Sequence, residues 1–246
     1  PVYCRFCFRR ETVGDVEHAL LSDEELDAAL SYVREHEEIW EVILSGGDPL
    51  ILSPRRLRTI LRALRRIDHV RVLRSHTRVP LVAPERISEE LSSVLREASP
   101  LFVVLHSNHP NEFTDEGRDA CARLVDTGIP MLSQSVLLRG VNDTIETLDS
   151  LLRLFAENRI KPYYLHHADK APGTSHFRTT VKEGQELVGA LRGRLSGICQ
   201  PTYVLDIPGG HGKAPASRSY VRDEGDGCFT VSDFNGDSHP YRDTGR

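Results

Sequence analysis

Short runs of buried-type residues alternate with amphipathic stretches along most of this chain, and that alternation limits the possible folds more than any other feature. Glu41-Val42-Ile43-Leu44-Ser45 reads as a short buried strand. Further strand-like runs follow at Val70 to Leu73, Leu101 to Leu105, Pro130 to Leu138 and Lys161 to Leu165. The first helix opens on the capping box Ser22-Asp23-Glu24-Glu25, with Leu26, Ala29, Leu30 and Val33 at helical spacing behind it. The second pairs Ser53 as N-cap with Pro54 at the first helical position, and Leu57, Ile60, Leu61, Leu64 and Ile67 form its apolar stripe. Helical stretches at 85–97, 115–127, 144–158 and 181–195 complete the pattern. Helices between buried strands imply parallel pairing through right-handed crossovers. Counting one strand expected ahead of the N-terminal loop, six βα units fit, an α/β fold built as a partial (β/α)6 TIM-like barrel.

Two later runs, Tyr203-Val204-Leu205 and Cys228-Phe229-Thr230-Val231, read as short strands of a C-terminal β extension. The expected division is therefore a barrel at 1–198 and an extension at 199–246, its polar end from Asp237 to Arg246 frayed. A chain of 246 residues suits one large barrel domain. With 39% hydrophobic and 27% charged residues it has an ordinary globular composition. A net charge of −5 argues against a general nucleic-acid binder. No apolar run reaches the roughly 18 residues that a membrane span needs. Five cysteines, an odd number without framework spacing, favour a reducing cytoplasm.

The first ten residues, PVYCRFCFRR, place Cys4 and Cys7 two residues apart. Such a pair can bind zinc, act as a redox dithiol or supply part of an iron–sulfur site. A zinc ribbon needs a second pair, whereas Cys121, Cys199 and Cys228 stand alone. A redox motif should open a helix, and Arg9-Arg10-Glu11-Thr12 starts one poorly.

Barrel sites form where strands end and loops begin. Gly46-Gly47-Asp48 follows a strand directly, His106 closes another within Leu105 to Glu112, and Gln134 stands in Gln134 to Asn142. Asp169 follows the last barrel strand. Asp206 ends a strand ahead of Gly209-Gly210-His211-Gly212-Lys213. A phosphate-binding P-loop is excluded there, because Ile207 and Ala214 occupy positions that need glycine and a hydroxyl. The glycines suit a backbone pressed against a flat cofactor, and a desolvated lysine loses its proton readily enough to form a Schiff base. Two partly buried carboxylates near one cavity suit a cationic ligand. Each feature also has a plain structural reading: a glycine turn, a hydrogen-bonded strand-end histidine, a polar strand cap at Gln134, a helix N-cap at Asp169 and a solvated lysine at 213.

In combination these motifs resemble the lysine 2,3-aminomutase branch of the radical S-adenosylmethionine (SAM) enzymes, from Pro1 to about Tyr220. Pro1-Val2-Tyr3 fits the spacer of the family's Cys-x-x-x-Cys-x-x-Cys loop. The resemblance implies that Cys4 and Cys7 are two ligands of a [4Fe–4S] cluster whose third cysteine lies just upstream of Pro1. It implies a barrel of the radical SAM type and SAM cleavage to a 5′-deoxyadenosyl radical, fed by an external electron donor. Gly46, Gly47, Asp48, His106 and Gln134 are then expected at SAM, and Lys213 at pyridoxal 5′-phosphate (PLP). Asp169 and Asp206 are expected at the substrate ε-ammonium, and Arg9 at its carboxylate. Glutamate-specific relatives lack the acid pair. The implied reaction moves the 2-amino group of L-lysine to C3, giving β-lysine.

Three departures matter. Thr144 stands where the family carries a zinc-ligating cysteine, and no C-terminal cysteine cluster follows. No zinc is therefore expected, and a homo-oligomer is left open. Tyr163-Tyr164-Leu165-His166-His167 replaces a tyrosine near PLP with histidine. That form resembles the branch supplying β-lysine for elongation factor P, whose members lack a good match to Asp206. The alternative from another class is a non-catalytic, cluster-free remnant, since the chain itself holds only two of the three cluster cysteines.

Overall fold

A hydroxyl opens each of the six longer helices among the described residues. Ser22, Ser53, Ser88, Thr114, Thr144 and Thr180 each accept the backbone N–H three residues on, satisfying one of the donors a helix start leaves unpaired. The computed structural model describes residues 4–7 and 21–245. In chain order its elements begin α1 (Asp23–Glu35), β1 (Glu41–Leu44), α2 (Pro54–Arg65), β2 (Val72–Thr77) and the single turn α3 (Val79–Val82). Next come α4 (Glu89–Glu97), β3 (Leu101–His106), α5 (Asp115–Asp126), β4 (Met131–Leu137), α6 (Ile145–Glu157) and β5 (Ile160–His167). The chain closes with α7 (Val181–Leu191), β6 (Thr202–Asp206), β7 (Lys213–Pro215), β8 (Val221–Gly225), β9 (Cys228–Ser232) and β10 (Ser238–Arg242).

Strands β1 to β6 pair in parallel in sequence order, and β7 turns back antiparallel on β6. The sheet curls into a half-barrel, as the alternation of helix and strand required. Because successive strand residues face opposite ways, each strand presents one set of side chains to the helices and one to the lumen. Leu73, Leu101, Val103, Leu105, Met131 and Leu137 join Leu57 and Leu61 of α2, Leu91 and Leu95 of α4, and Leu151 and Phe155 of α6 in one core. The other set, including Arg74, His76, Phe102, His106 and Gln134, is only half-buried and lines the concave side.

Three departures from the sequence expectations change where residues sit in the sheets. The strand expected at Val70 to Leu73 lies at Val72–Thr77, so His76 and Thr77 belong to it. The strand at Tyr203 is the sixth parallel member of the main sheet, in register with β5 through Leu165 and Tyr203. The polar end of the chain, expected to fray, pairs through β10 with β9 in a second, antiparallel sheet of three strands.

Tyr203 is fully buried and gives β6 its anchor under α7. A Cβ on Gly184 of α7 would lie 2.0 Å from the Tyr203 hydroxyl oxygen, so only glycine admits the ring at this depth. That hydroxyl is also 2.8 Å from His167 Nδ1, tying the end of β5 to the same packing. Gly184→Ala is expected to cost about 1–3 kcal/mol, the usual penalty for overpacking a core. Adding Tyr203→Phe should recover part of it in urea denaturation, because the nearest clash is with the hydroxyl.

Candidate active site

The carboxyl ends of the strands carry three groups of polar side chains. At the first, the chain leaves β1 through Gly46, whose φ of +129° lies outside the range ordinary side chains adopt. A Cβ on Gly46 or Gly47 would meet nothing within 4 Å, so both glycines border open space. Asp48 turns inward and spends its carboxylate on the protein. Oδ1 accepts from Leu50 N at 3.0 Å and Thr77 Oγ1 at 2.8 Å, and Oδ2 from Arg78 N at 2.7 Å. Burial pushes the Asp48 carboxyl up, against the opposing pull of these donors. The aspartate expected at a bound ligand is therefore holding the end of β2.

Arg78 carries the connection onward. Its Nη1 donates to Cys4 Sγ at 3.0 Å and its Nη2 to Glu112 Oε2 at 2.7 Å. Glu112 is fixed in turn by the backbone N–H groups of Asn108 and His109, at 2.6 and 3.0 Å. Arg78 Nε is buried and has no acceptor among the described residues. Cys4 and Cys7 are free thiols on a tight turn closed by Cys7 N to Cys4 O at 3.1 Å. Burial pushes the Cys4 thiol up, and Arg78 works against that shift. Phe6 packs edge-on against Phe177, with ring centroids 6.4 Å apart, and the Arg5 guanidinium lies 5.5 Å from the same ring. The cysteine turn thus rests between the loops after β2 and β5.

The second group is a histidine pair. His76 Nδ1 lies 3.0 Å from His106 Nε2, joining the ends of β2 and β3. His106 stands in register with Gln134 on β4, whose side-chain amide has no hydrogen-bond partner among the described residues.

The third group gathers Asp169, Asp206, His166 and Lys213. Gly209, Gly210 and Gly212 have φ of +92°, +80° and +87°. Their left-handed turn returns the chain so that Lys213 faces Asp206 across the β6–β7 pair. Lys213 Nζ donates to Asp206 Oδ1, and His166 Nδ1 lies 2.8 Å from Oδ2. Burial alone would raise the Asp206 carboxyl, but the Lys213 and His166 hydrogen bonds outweigh it and hold it below the usual carboxylate range. Asp169 goes the other way: burial raises it, and the Asp206 charge adds to the rise. Burial lowers His166 against the pull of Asp206. With Nδ1–H given to the carboxylate, Nε2 of neutral His166 is a buried acceptor with no donor among the described residues.

Of the residues singled out in the sequence, the structure brings Asp169, Asp206 and Lys213 together, and His106 beside Gln134. It sets Cys4 and Cys7 on the same rim. Lys213 and Asp206, read as serving different ligands, are direct partners. Arg9 lies outside the described residues. Arg78, Thr77 and Glu112 were missed. Glu112 sits in the segment already noted around His106, whereas Thr77 and Arg78 lie between the strand expected at Val70 to Leu73 and the helical stretch at 85–97, where no residue type stands out. Among the described residues, no three or more His, Cys, Asp or Glu converge as a metal site. No described helix is long and apolar enough to cross a membrane.

Residues 1–154 match the family model of the radical SAM superfamily, more than half of the chain. Over 235 residues the chain is 42% identical to L-lysine 2,3-aminomutase of Acetoanaerobium sticklandii, a match covering 96% of this chain and 56% of that protein. To glutamate 2,3-aminomutase of Clostridioides difficile it is 37% identical over 224 residues, 91% of this chain and 53% of that one. The chain thus spans little more than half the length of these relatives. The crystal structure of Streptococcus suis SuiB bound to S-adenosylmethionine is similar in fold, with a TM-score of 0.59 at 12% identity over 83% of this chain and 47% of that one.

Burial first, and the charge of His76 second, push the His106 imidazole down to about 3. In the unfolded chain it titrates near 6.5. Between about 6.5 and 3 the unfolded state takes up a proton that the folded state refuses, so stability falls as pH drops through that window. From pH 7 to pH 5 the loss due to this one group amounts to about 2 kcal/mol. His106→Gln should remove that share, measured as the difference between urea melts at the two pH values. An unchanged difference would mean that His106 titrates normally in the folded protein.

Proposed function

Because the chain belongs to the radical SAM superfamily, we propose that it forms the catalytic core of a PLP-dependent aminomutase that converts L-lysine to β-lysine. The observation that carries this reading is the Asp206–Lys213 ion pair, with Asp169 and His166 around it, on the rim that also bears the cysteine turn. Membership of the superfamily implies SAM and an iron–sulfur cluster. The residues present fit a cluster: two free thiols on one tight turn, beside a half-buried guanidinium whose buried Nε–H has no acceptor among the described residues. They fit PLP as well, since Lys213 follows a glycine turn in which a Cβ on Gly210 or Gly212 would meet only open space. When bound, the cluster and SAM supply the 5′-deoxyadenosyl radical, and PLP supplies delocalisation of the radical on the substrate.

The chain's own residues perform binding, orientation and charge control. Lys213 is the amine that would hold PLP, and as a cation it is stored against Asp206. Once Lys213 gives up that position, Asp206 becomes a partly buried carboxylate without its cation, close enough to Asp169 for each to feel the other's charge. A substrate with a side-chain ammonium replaces the missing cation; one with a carboxylate would bring a third negative charge to the same place. This ordering favours lysine over glutamate. His166 Nε2 supplies an acceptor beside the exchange, and its Nδ1–H keeps Asp206 oriented. Gln134 and the open faces of Gly46 and Gly47 offer an amide and bare backbone to SAM, and His106 stays neutral there. Asp48 serves the same site indirectly, by fixing the end of β2.

The test is anaerobic. The full-length protein, reconstituted with iron, sulfide and PLP and supplied with SAM, reductant and L-lysine, should form β-lysine. Lys213→Ala should abolish both the product and the PLP absorbance tied to the protein. Asp206→Asn should raise KM for L-lysine by roughly 10- to 100-fold, the worth of a hydrogen bond to a charged group. An unchanged KM would remove Asp206 from substrate recognition. Turnover of L-glutamate in place of L-lysine would overturn the assigned substrate, and absence of bound iron in the wild type would overturn the radical chemistry.

A further inference from the structure

We propose that Arg78 is a positioning residue for the iron–sulfur cluster, donating a guanidinium N–H to the sulfur of Cys4 and thereby raising the cluster's reduction potential. The inference rests on Cys4 being a cluster ligand and is independent of which amine the enzyme rearranges.

The geometry around Arg78 is over-determined. Its backbone N–H is held by Asp48 at 2.7 Å, and its Nη2 by Glu112 at 2.7 Å. Glu112 has no freedom to follow a moving partner, because Oε1 is bonded to two backbone N–H groups. The guanidinium is a rigid planar fork, so fixing one arm on Glu112 fixes the other, and that arm meets Cys4 Sγ at 3.0 Å. A neutral thiol is a weak acceptor and would be a poor use of a largely buried cation. A thiolate makes the contact charge-assisted, and a thiolate is what a cluster requires. The buried Nε–H, without an acceptor among the described residues, adds a second donor on the same fork.

The sign of the effect follows from charge. Reduction adds an electron to the cluster, and its sulfur ligands carry part of it. A nearby cation and a hydrogen bond to sulfur stabilise the reduced form more than the oxidised one, which raises the potential. Cys7 has no comparable donor among the described side chains, so the influence of Arg78 falls on one ligand. A guanidinium that merely tied three loops together would affect stability and cluster retention, but would leave the potential of a fully assembled cluster unchanged.

The measurement is an EPR-monitored redox titration of the full-length, anaerobically reconstituted protein as wild type, Arg78→Gln and Arg78→Lys, with iron and sulfide content determined for each. Arg78→Gln with full iron should show a lower midpoint. At the wild-type midpoint its ratio of reduced to oxidised cluster should fall about tenfold, the low end for a hydrogen bond to a charged group; for a one-electron couple that is about 59 mV. Arg78→Lys, which keeps the charge and loses the fork, should lie between the two. If Arg78→Gln cannot retain its cluster, a lowered midpoint in Arg78→Lys still supports the assignment, and a wild-type midpoint there overturns it. An unchanged midpoint in a fully loaded Arg78→Gln also overturns it. A wild type that binds no iron removes Cys4 as a ligand, and the inference falls with that premise.

Discussion

The buried carboxylate of Asp48 is the contact on which the rest of the rim depends. Three donors from two strand ends converge on it: the amide of its own turn, the Thr77 hydroxyl and the Arg78 amide. A partly buried carboxylate is costly unless its lone pairs are satisfied, so these bonds form together or not at all. Their consequence is geometric. They fix the backbone of residue 78, and that places its guanidinium between Cys4 and Glu112. Glu112 then fixes the loop after β3 through Asn108 and His109. Four chain segments far apart in sequence are joined by one continuous set of hydrogen bonds and ion pairs, laid over the apolar anchors Leu50, Val79 and Phe113 of the same segments.

At the other side of the rim the same economy uses a different device. The β6–β7 hairpin sets Asp206 against Lys213, and the three left-handed glycines between them make that return possible. The ion pair solves a problem for the protein without ligands: two acids close together, one raised by burial and further by the other's charge, need a cation. Lys213 supplies it. In the proposed aminomutase, an amine engaged with PLP no longer could, and a substrate ammonium would take its place, so that specificity would follow from the order in which cations occupy one carboxylate.

Helix starts were the most legible part of this sequence, because capping is a local interaction between a hydroxyl and an amide three residues away. Ser22 and Ser53 behave in the structure as their spacing predicts. Strands with one apolar face were nearly as legible, as at Leu101–His106. β2 was harder, since Arg74 and His76 face the lumen while Ser75 and Thr77 face inward. Neither face is apolar beyond Leu73, so hydropathy carries no strand signal there, and Thr77 and Arg78 went unnoticed with it. The acids and Lys213 could be picked out by type and position. That Asp206 and Lys213 are partners depends on how a glycine turn folds back, which residue types alone do not determine.

Of the buried polar atoms without partners among the described residues, Arg78 Nε and His166 Nε2 mark the two sides of the site. Folded chains leave few such groups, and each costs about 1–3 kcal/mol while it stays unmet. One is a donor on a cation beside the cysteine turn, and the other an acceptor beside the lysine. Each is held in place by a neighbour that has already used the rest of its side chain, Glu112 and Cys4 in the first case and Asp206 in the second. Neither group can relieve itself by rotating without giving up a charge-assisted bond. His106 lies between them, and burial first, with the charge of Arg78 adding to it, favours the neutral form of its ring. The half-barrel therefore keeps a donor and an acceptor, both unpartnered among the described residues, in fixed positions with an uncharged ring between.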